Sequence, residues 1–346
     1  MKAAVLEDLG KIVVREVETP KIDEESLLLK VKACAVCGSD IRIYRYGNPR
    51  VKPPQIIGHE IAGGVVEVGS KVKKFKQGDR VAIGADVPCG ECPACQQGIG
   101  NNCPINYAMG YQFPGGFAEY VLINPLVIKY GPIHHIPDNL DFEEAALAEP
   151  LGCCINGLEL ADLKVGDTVV IIGGGPAGCL LTELSKCMGA TKVIIAQRSK
   201  NRLEMIKNEF SADVVISTTE EDFEKIVLDE TDGEGADVVI TACASADAQE
   251  QALNVIAHRG RINYFGGLPK GSRKITIDSN LIHYKECFVL GSHGAVPRHH
   301  RIALNLIASG AINVRKLITH RFPLDSISEA FSVVENREAM KAVIFP

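Results

Sequence analysis

Two textures of hydrophobic and polar positions divide the chain. Up to about residue 150 the apolar runs are short. Leu27-Leu28-Leu29-Lys30-Val31 and Ala62-Gly63-Gly64-Val65-Val66-Glu67-Val68 are separated by Gly, Pro and Asp turns, a pattern of β strands joined by irregular loops. From about 166 a strand-then-helix rhythm takes over. The run Thr168–Ile172 leads into a glycine turn and an apolar helix through Met188, and 192–196 leads into a charged helix from Lys200. Such alternation predicts a parallel sheet, which β-like runs at Ala236–Thr241, 261–265 and 287–290 extend. A helix at 301–309 follows, and the tail from about 291 reads as helix and β again. The fold class is α/β, with a β-rich part and a doubly wound parallel sheet whose boundaries fall near 150 and 290.

Composition narrows what such a chain does. Its 346 residues predict about two domains. With 46% apolar and 23% charged residues it is ordinary globular protein. The net charge of −6 has the wrong sign for gathering phosphate backbones, so no nucleic-acid partner is expected. No stretch of about eighteen apolar residues predicts a membrane span. The start Met1-Lys2-Ala3-Ala4-Val5-Leu6-Glu7-Asp8 lacks the apolar run of an export signal, which points to the cytoplasm. In a reducing compartment the twelve cysteines are expected to ligate metal or fill core rather than form disulfides.

Four of them, Cys89-x2-Cys92-x2-Cys95-x7-Cys103, lie on one Pro- and Gly-rich loop. Four thiolates complete a tetrahedral zinc shell and leave no open position, so this metal is expected to be structural. An iron–sulfur cluster or loop disulfides are the alternatives. A second, dispersed set comprises Cys37, His59, Glu60 and Glu149. Three protein ligands mixing thiolate, imidazole and carboxylate leave a place for water or a substrate oxygen, the mark of a catalytic zinc. Binding both glutamates at once would leave the site anionic, so one at a time is expected. Taken singly, each of these residues reads as core filler or a solvated charge. The other cysteines (34, 153, 154, 179, 187, 243 and 287) read as small core hydrophobes, with Cys153 and Cys154 close in sequence to the Glu149 motif.

The apolar strand before Gly173-Gly174-Gly175-Pro176-Ala177-Gly178 and the helix after it match a dinucleotide-binding turn. Gly173 permits the turn, Gly175 admits the pyrophosphate, Gly178 lets the helix pack close, and the helix N-terminus at Pro176 and Ala177 faces negative charge. The next strand ends at Gln197-Arg198-Ser199-Lys200, where an acid would grip the ribose hydroxyls of NAD. Gln197 removes that charge, and Arg198, Lys200 and Arg202 offer cations to a 2′-phosphate. NADP is therefore expected ahead of NAD.

Gly58-His59-Glu60, the four-cysteine loop, Gly115-Gly116-Phe117-Ala118-Glu119-Tyr120, Glu149-Pro150-Leu151-Gly152, the glycine turn and Ile318-Thr319-His320-Arg321-Phe322-Pro323-Leu324 together resemble the zinc-dependent medium-chain dehydrogenases and reductases, and among them the polyol (sorbitol-like) dehydrogenases. The resemblance implies a GroES-like catalytic domain from 1–150 and 291–346, a Rossmann domain from 151–290 between them, an active site in the cleft, and a homodimer or homotetramer. It also implies Cys37, His59 and Glu60 as catalytic zinc ligands, Glu149 as an exchanging or water-bridged fourth, Ser39 as the proton-relay hydroxyl and Asp40 as the group orienting a ligand. Ser39 and Asp40 also suit a helix cap. The implied reaction moves hydride between a secondary alcohol (polyol, cyclitol or sugar alcohol) and the dinucleotide. A threonine or other amino-alcohol dehydrogenase is the alternative, and a cyclic polyol or a sugar phosphate alcohol also stays open, since Gly294 stands where polyol enzymes carry a substrate-contacting arginine, for which Arg298, His293 or His299 would have to substitute. A zinc-free quinone reductase and a non-enzymatic relative are the remaining readings.

Overall fold

The computed structural model describes residues 1–269, 271 and 273–346. The chain divides into two compact units, one of residues 1–153 with 294–346 and the other of 154–293. The first division falls inside a helix, Ala148–Leu160, rather than in a loop. No helix among the described residues is long and apolar enough to cross a membrane.

The first unit is built on a seven-stranded sheet. Its strands run in the order Ile133–His135, Arg80–Ile83, Glu60–Val68, Leu27–Ala35, Lys341–Phe345 and Ile318–Pro323, with Tyr120–Ile123 also paired to Leu27–Ala35. Leu27, Leu29, Ile61, Ile83, Phe117, Ile123 and Ile133 point into one core and are all fully buried; each contributes about 1.5–3 kcal/mol by leaving water. Antiparallel pairing sets Ala35 against Glu60 and Ala35 against Val343. This register brings the end of one strand and the starts of two others, far apart in sequence, to one edge of the sheet.

The second unit is a six-stranded, wholly parallel sheet. The spatial order is Val214–Ser217, Lys192–Gln197, Thr168–Ile172, Ala236–Thr241, Ile256–Tyr264 and Phe288–Gly291, which numbered along the chain is the doubly wound order 3-2-1-4-5-6. Val169, Val170 and Ile171 are fully buried, as strands covered on both faces require. Ligands bind such sheets outside the carboxyl ends of the strands, where the order reverses. Here that point lies between Thr168–Ile172 and Ala236–Thr241, where the glycine turn begins.

That turn is tight. Gly173 has φ +117°, and a Cβ on Gly178 would lie 1.9 Å from the Gly173 carbonyl oxygen, closer than any real side chain sits. Gly178→Ala is therefore expected to destabilise this unit by about 2 kcal/mol or more, read as a lower urea midpoint at unchanged slope.

Candidate active site

The converging strand ends of the first unit carry the chemistry. Cys37 lies just beyond the strand Leu27–Ala35, and Glu60 opens the strand Glu60–Val68 with His59 immediately before it. Cys37, His59 and Glu60 each present one ligand atom, and the three atoms lie within 4.8 Å of one another. His59 and Glu60 are buried and Cys37 partly so.

The helix Gly38–Tyr46 starts on Cys37, and Asp40 serves it twice. Its Oδ2 accepts the Cys37 backbone N–H at 2.9 Å, closing the helix cap, while its Oδ1 stands 3.3 Å from His59 Nδ1. The second contact is electrostatic rather than an aligned hydrogen bond, since neither atom has a well-directed partner. Burial opposes a charged His59, but Asp40 and Cys37 outweigh it and hold the imidazole pKa well above its ordinary value. Ser39 Oγ lies 3.3 Å from His59 Nε2, and the Tyr111 ring centroid is 5.8 Å from that of His59; burial raises the Tyr111 phenol pKa, partly offset by His59 and Ser39. The capping and positioning readings of Asp40 thus coexist in one side chain.

Glu60 is gripped from one side only. The ammonium of Lys341, itself 3% exposed, donates to Glu60 Oε1 at 2.6 Å and to the Val36 carbonyl at 3.3 Å. Glu60 Oε2 is buried with no partner. A buried carboxylate oxygen without a donor is costly, and beside a thiol and an imidazole it fits a metal ion. Glu149 stands outside the trio. It lies in the first turn of the helix Ala148–Leu160, where Cys153 Sγ approaches its Oε1 at 3.8 Å. Burial, with help from Glu60 and Asp86 and against His59, pushes its pKa up to about 7. It lines a cavity of about 10 Å³ with Asp86, Gly84, Pro132 and His300.

At Gly294, the position that the sequence marks for substrate, an added side chain would meet a neighbour. Gly294 has φ +59°, and a Cβ there would lie 2.1 Å from Asp86 Oδ2, which accepts the Ala295 N–H at 3.1 Å. The Asp86 carboxylate thus lies where the first carbon of a side chain at 294 would be. His299 Nδ1 accepts the Val296 N–H at 3.2 Å, so this residue caps its own helix.

The four loop cysteines also converge, one ligand atom from each lying within 4.8 Å of the others. Cys89 Sγ is 3.8 Å from Cys95 Sγ, and Cys92 Sγ is 3.4 Å from it. These are separations of thiols around a shared centre, about 3.8 Å for a tetrahedral zinc, not the ~2.05 Å of a disulfide. Backbone amides of Cys92 and Cys95 point at the sulfurs of Cys89 and Cys92. Burial raises the Cys103 thiol, but backbone N–H groups including that of Asn106 outweigh it and bring the pKa down to about 6. Of the cysteines read as core, Cys187 is a correction: it is exposed, near the C-terminal end of the helix Pro176–Cys187, where one face meets solvent.

In the second unit, Gly175 caps the helix Pro176–Cys187, with Pro176 at its first position, so Pro176, Ala177 and Gly178 form its first turn. Gln197 Oε1 accepts the Arg198 and Ser199 amides at 2.6 and 3.2 Å. Its oxygen is therefore engaged by the turn. Arg202 Nη1 would be 3.5 Å from a Cβ on Gly175, so its guanidinium overhangs the glycine turn, while Arg198 is exposed. Lys200 pairs with Glu220 at 2.5 Å.

Comparison with known proteins agrees with this geometry. Residues 23–132 match the alcohol dehydrogenase GroES-like domain and 176–309 the zinc-binding dehydrogenase domain. The chain belongs to the zinc-type medium-chain alcohol dehydrogenase family. It is 35% identical to a D-arabitol-phosphate dehydrogenase of Enterococcus avium over 95% of this chain and 92% of that one. It is 36% identical to an L-threonine 3-dehydrogenase of Thermococcus kodakarensis over 96% and 93%. A zinc-binding dehydrogenase of Sinorhizobium meliloti 1021, solved with NADP, superposes with a TM-score of 0.92 at 35% identity, covering 100% of this chain and 99% of that one. This dehydrogenase is thus an oxidoreductase of the alcohol dehydrogenase type.

Sequence reasoning missed Lys341, Tyr111 and Arg50, whose guanidinium lies over the Tyr111 ring at 4.6 Å. The signal for Lys341 was a lone cation opening an apolar strand, Lys341-Ala342-Val343-Ile344; nothing in the sequence marks the other two. The buried pair makes a test. In this dehydrogenase Lys341→Met leaves Glu60 uncompensated and should cost about 3–5 kcal/mol. The double variant with Glu60→Gln should recover most of that loss in urea unfolding, because no buried charge is then left alone.

Proposed function

We propose that the protein is a zinc-dependent dehydrogenase that moves hydride between the carbinol carbon of a secondary alcohol of the polyol class and a nicotinamide dinucleotide, NADP ahead of NAD. The observation that carries this reading is the trio Cys37, His59 and Glu60 with Glu60 Oε2 buried and bare. Bound there, zinc supplies the Lewis acidity that lowers the pKa of a substrate hydroxyl. Lys341 neutralises one oxygen of Glu60 and directs the other to the metal. Asp40 holds the His59 ring through Nδ1, leaving Nε2 as the ligand atom. Ser39, with Oγ 3.3 Å from His59 Nε2, receives the hydroxyl proton. Glu149, with a pKa near 7, is the exchanging or water-bridged fourth group. Cys89, Cys92, Cys95 and Cys103 hold a second, structural zinc.

The dinucleotide belongs on the second unit, its pyrophosphate against Gly173, Gly175 and the helix N-terminus at Pro176, Ala177 and Gly178. The NADP preference rests on the engaged Gln197, on Arg198 and Arg202, and on the NADP carried by the Sinorhizobium relative. An amino-alcohol substrate is a second reading. It is favoured by Asp86 standing where the polyol enzymes' arginine would be and by the 36% identity to an L-threonine 3-dehydrogenase.

The test is metal analysis joined to kinetics on polyols and threonine with both dinucleotides. Two zinc ions per chain are expected. Cys37→Ser should keep one zinc and dinucleotide binding while kcat/KM falls by about a thousandfold or more. kcat/KM for NADP should exceed that for NAD by about tenfold. Full turnover by the Cys37→Ser enzyme would sink the zinc reading; a strong NAD preference would sink the cofactor assignment alone.

A further inference from the structure

Arg50 follows the helix that carries Ser39 and Asp40, and its backbone N–H is fixed by Asn48 Oδ1 at 2.9 Å. Its guanidinium lies over Tyr111, 4.6 Å from the ring centroid, and that same ring stands beside His59. Arg50 Nε and Nη2 are both shielded from solvent, and neither has an acceptor among the described residues. Other cations of this unit are satisfied differently. Lys341 has Glu60 and Val36, Arg45 has both oxygens of Glu335, and Arg321 has both oxygens of Glu143.

The two bare atoms are not an arbitrary pair. Nε and Nη2 form the side-on edge of a guanidinium, two parallel N–H groups spaced to grip two oxygens of one phosphate or carboxylate. A charged donor edge held from water without an acceptor is costly, and a permanent role in the core would have been met by a carboxylate, as it is for Lys341. A partner that arrives and leaves is the arrangement this edge fits, and the ring it covers is itself the neighbour of His59.

We propose that Arg50 is an anion-recognition residue of the substrate site, and that the alcohol this enzyme oxidises carries a phosphate monoester or a carboxylate at the end remote from the carbinol. The assignment deepens the dehydrogenase reading and rests on it. The anion bridges Nε and Nη2 of Arg50, the guanidinium remains stacked on Tyr111, and the hydroxyl end of the same molecule reaches Cys37, His59 and Glu60. A neutral polyol lacks the first contact and so pays in KM rather than in kcat.

The experiment has an arm without turnover and one with it, both on the full zinc-loaded chain saturated with dinucleotide so that the pyrophosphate site is filled. Inorganic phosphate titrated calorimetrically should bind the native protein. Arg50→Gln should weaken this at least about tenfold, with Arg50→Lys falling between, as loss of a bidentate charged contact implies. Kinetics then compare a pentitol, its terminal phosphate monoester and the corresponding aldonate. One anionic form should be preferred, and Arg50→Gln should raise its KM about tenfold or more while changing the neutral pentitol and the dinucleotide KM less than about twofold. Preference for the ester or for the aldonate decides between phosphate and carboxylate. Equal phosphate binding by the native and Arg50→Gln proteins overturns the proposal, as does a loss confined to the dinucleotide KM. Should Arg50→Gln fail to fold, the same comparisons on Arg50→Lys decide. Arg50-dependent phosphate binding in a protein that oxidises no alcohol would uphold the anion site and refute the dehydrogenase reading.

Discussion

The catalytic unit depends on one buried contact, the ion pair between Lys341 Nζ and Glu60 Oε1 at 2.6 Å. Its partners come from strands 281 residues apart in sequence, and both side chains are almost wholly removed from water. Desolvating two charges costs several kcal/mol each, so such a pair adds little net stability over an apolar one. Its value is in placement. Burial disfavours the Lys341 ammonium, but Glu60, Cys37 and Glu149 outweigh that effect and raise its pKa. The lysine stays charged, one oxygen of Glu60 is neutralised, and the other is left facing the thiol and the imidazole.

The same economy recurs around that oxygen. Asp40 caps a helix with one oxygen and faces His59 with the other, so helix formation and imidazole orientation are coupled. Tyr111 lies between His59 and a cation, its ring centroid 5.8 Å from that of His59 and its face covered by Arg50. The Glu60 carboxylate of the trio is balanced by Lys341, and Arg50 lays a second cation over Tyr111. Asp86 accepts the Ala295 N–H and lies against Gly294, where a side chain would meet its carboxylate.

The parallel-sheet unit is held by backbone geometry instead. Its parallel sheet follows the alternating rhythm of strands and helices, and the fit of Gly178 against the Gly173 carbonyl admits no side chain. Gln197 turns its oxygen onto two backbone amides. The absence of an acid there, visible in the sequence, is matched in space by a side chain whose oxygen is already engaged.

Much of this was legible along the chain, because the interactions concerned are local or periodic. Apolar runs of four or five residues announce strands, Cys-x2-Cys spacing brings sulfurs together within a single loop, and a glycine turn between strand and helix carries its own geometry. Cys37, His59 and Glu60 were readable as a donor set because thiolate, imidazole and carboxylate share one chemistry. Lys341, Tyr111 and Arg50 were not, since an isolated lysine, tyrosine or arginine has no spacing that reveals its partner. Their roles follow from strand register and ring stacking, which join residues by folding and leave no trace in the order of the sequence. The same holds for Glu149, whose position beside rather than within the trio depends on how the helix Ala148–Leu160 enters the unit.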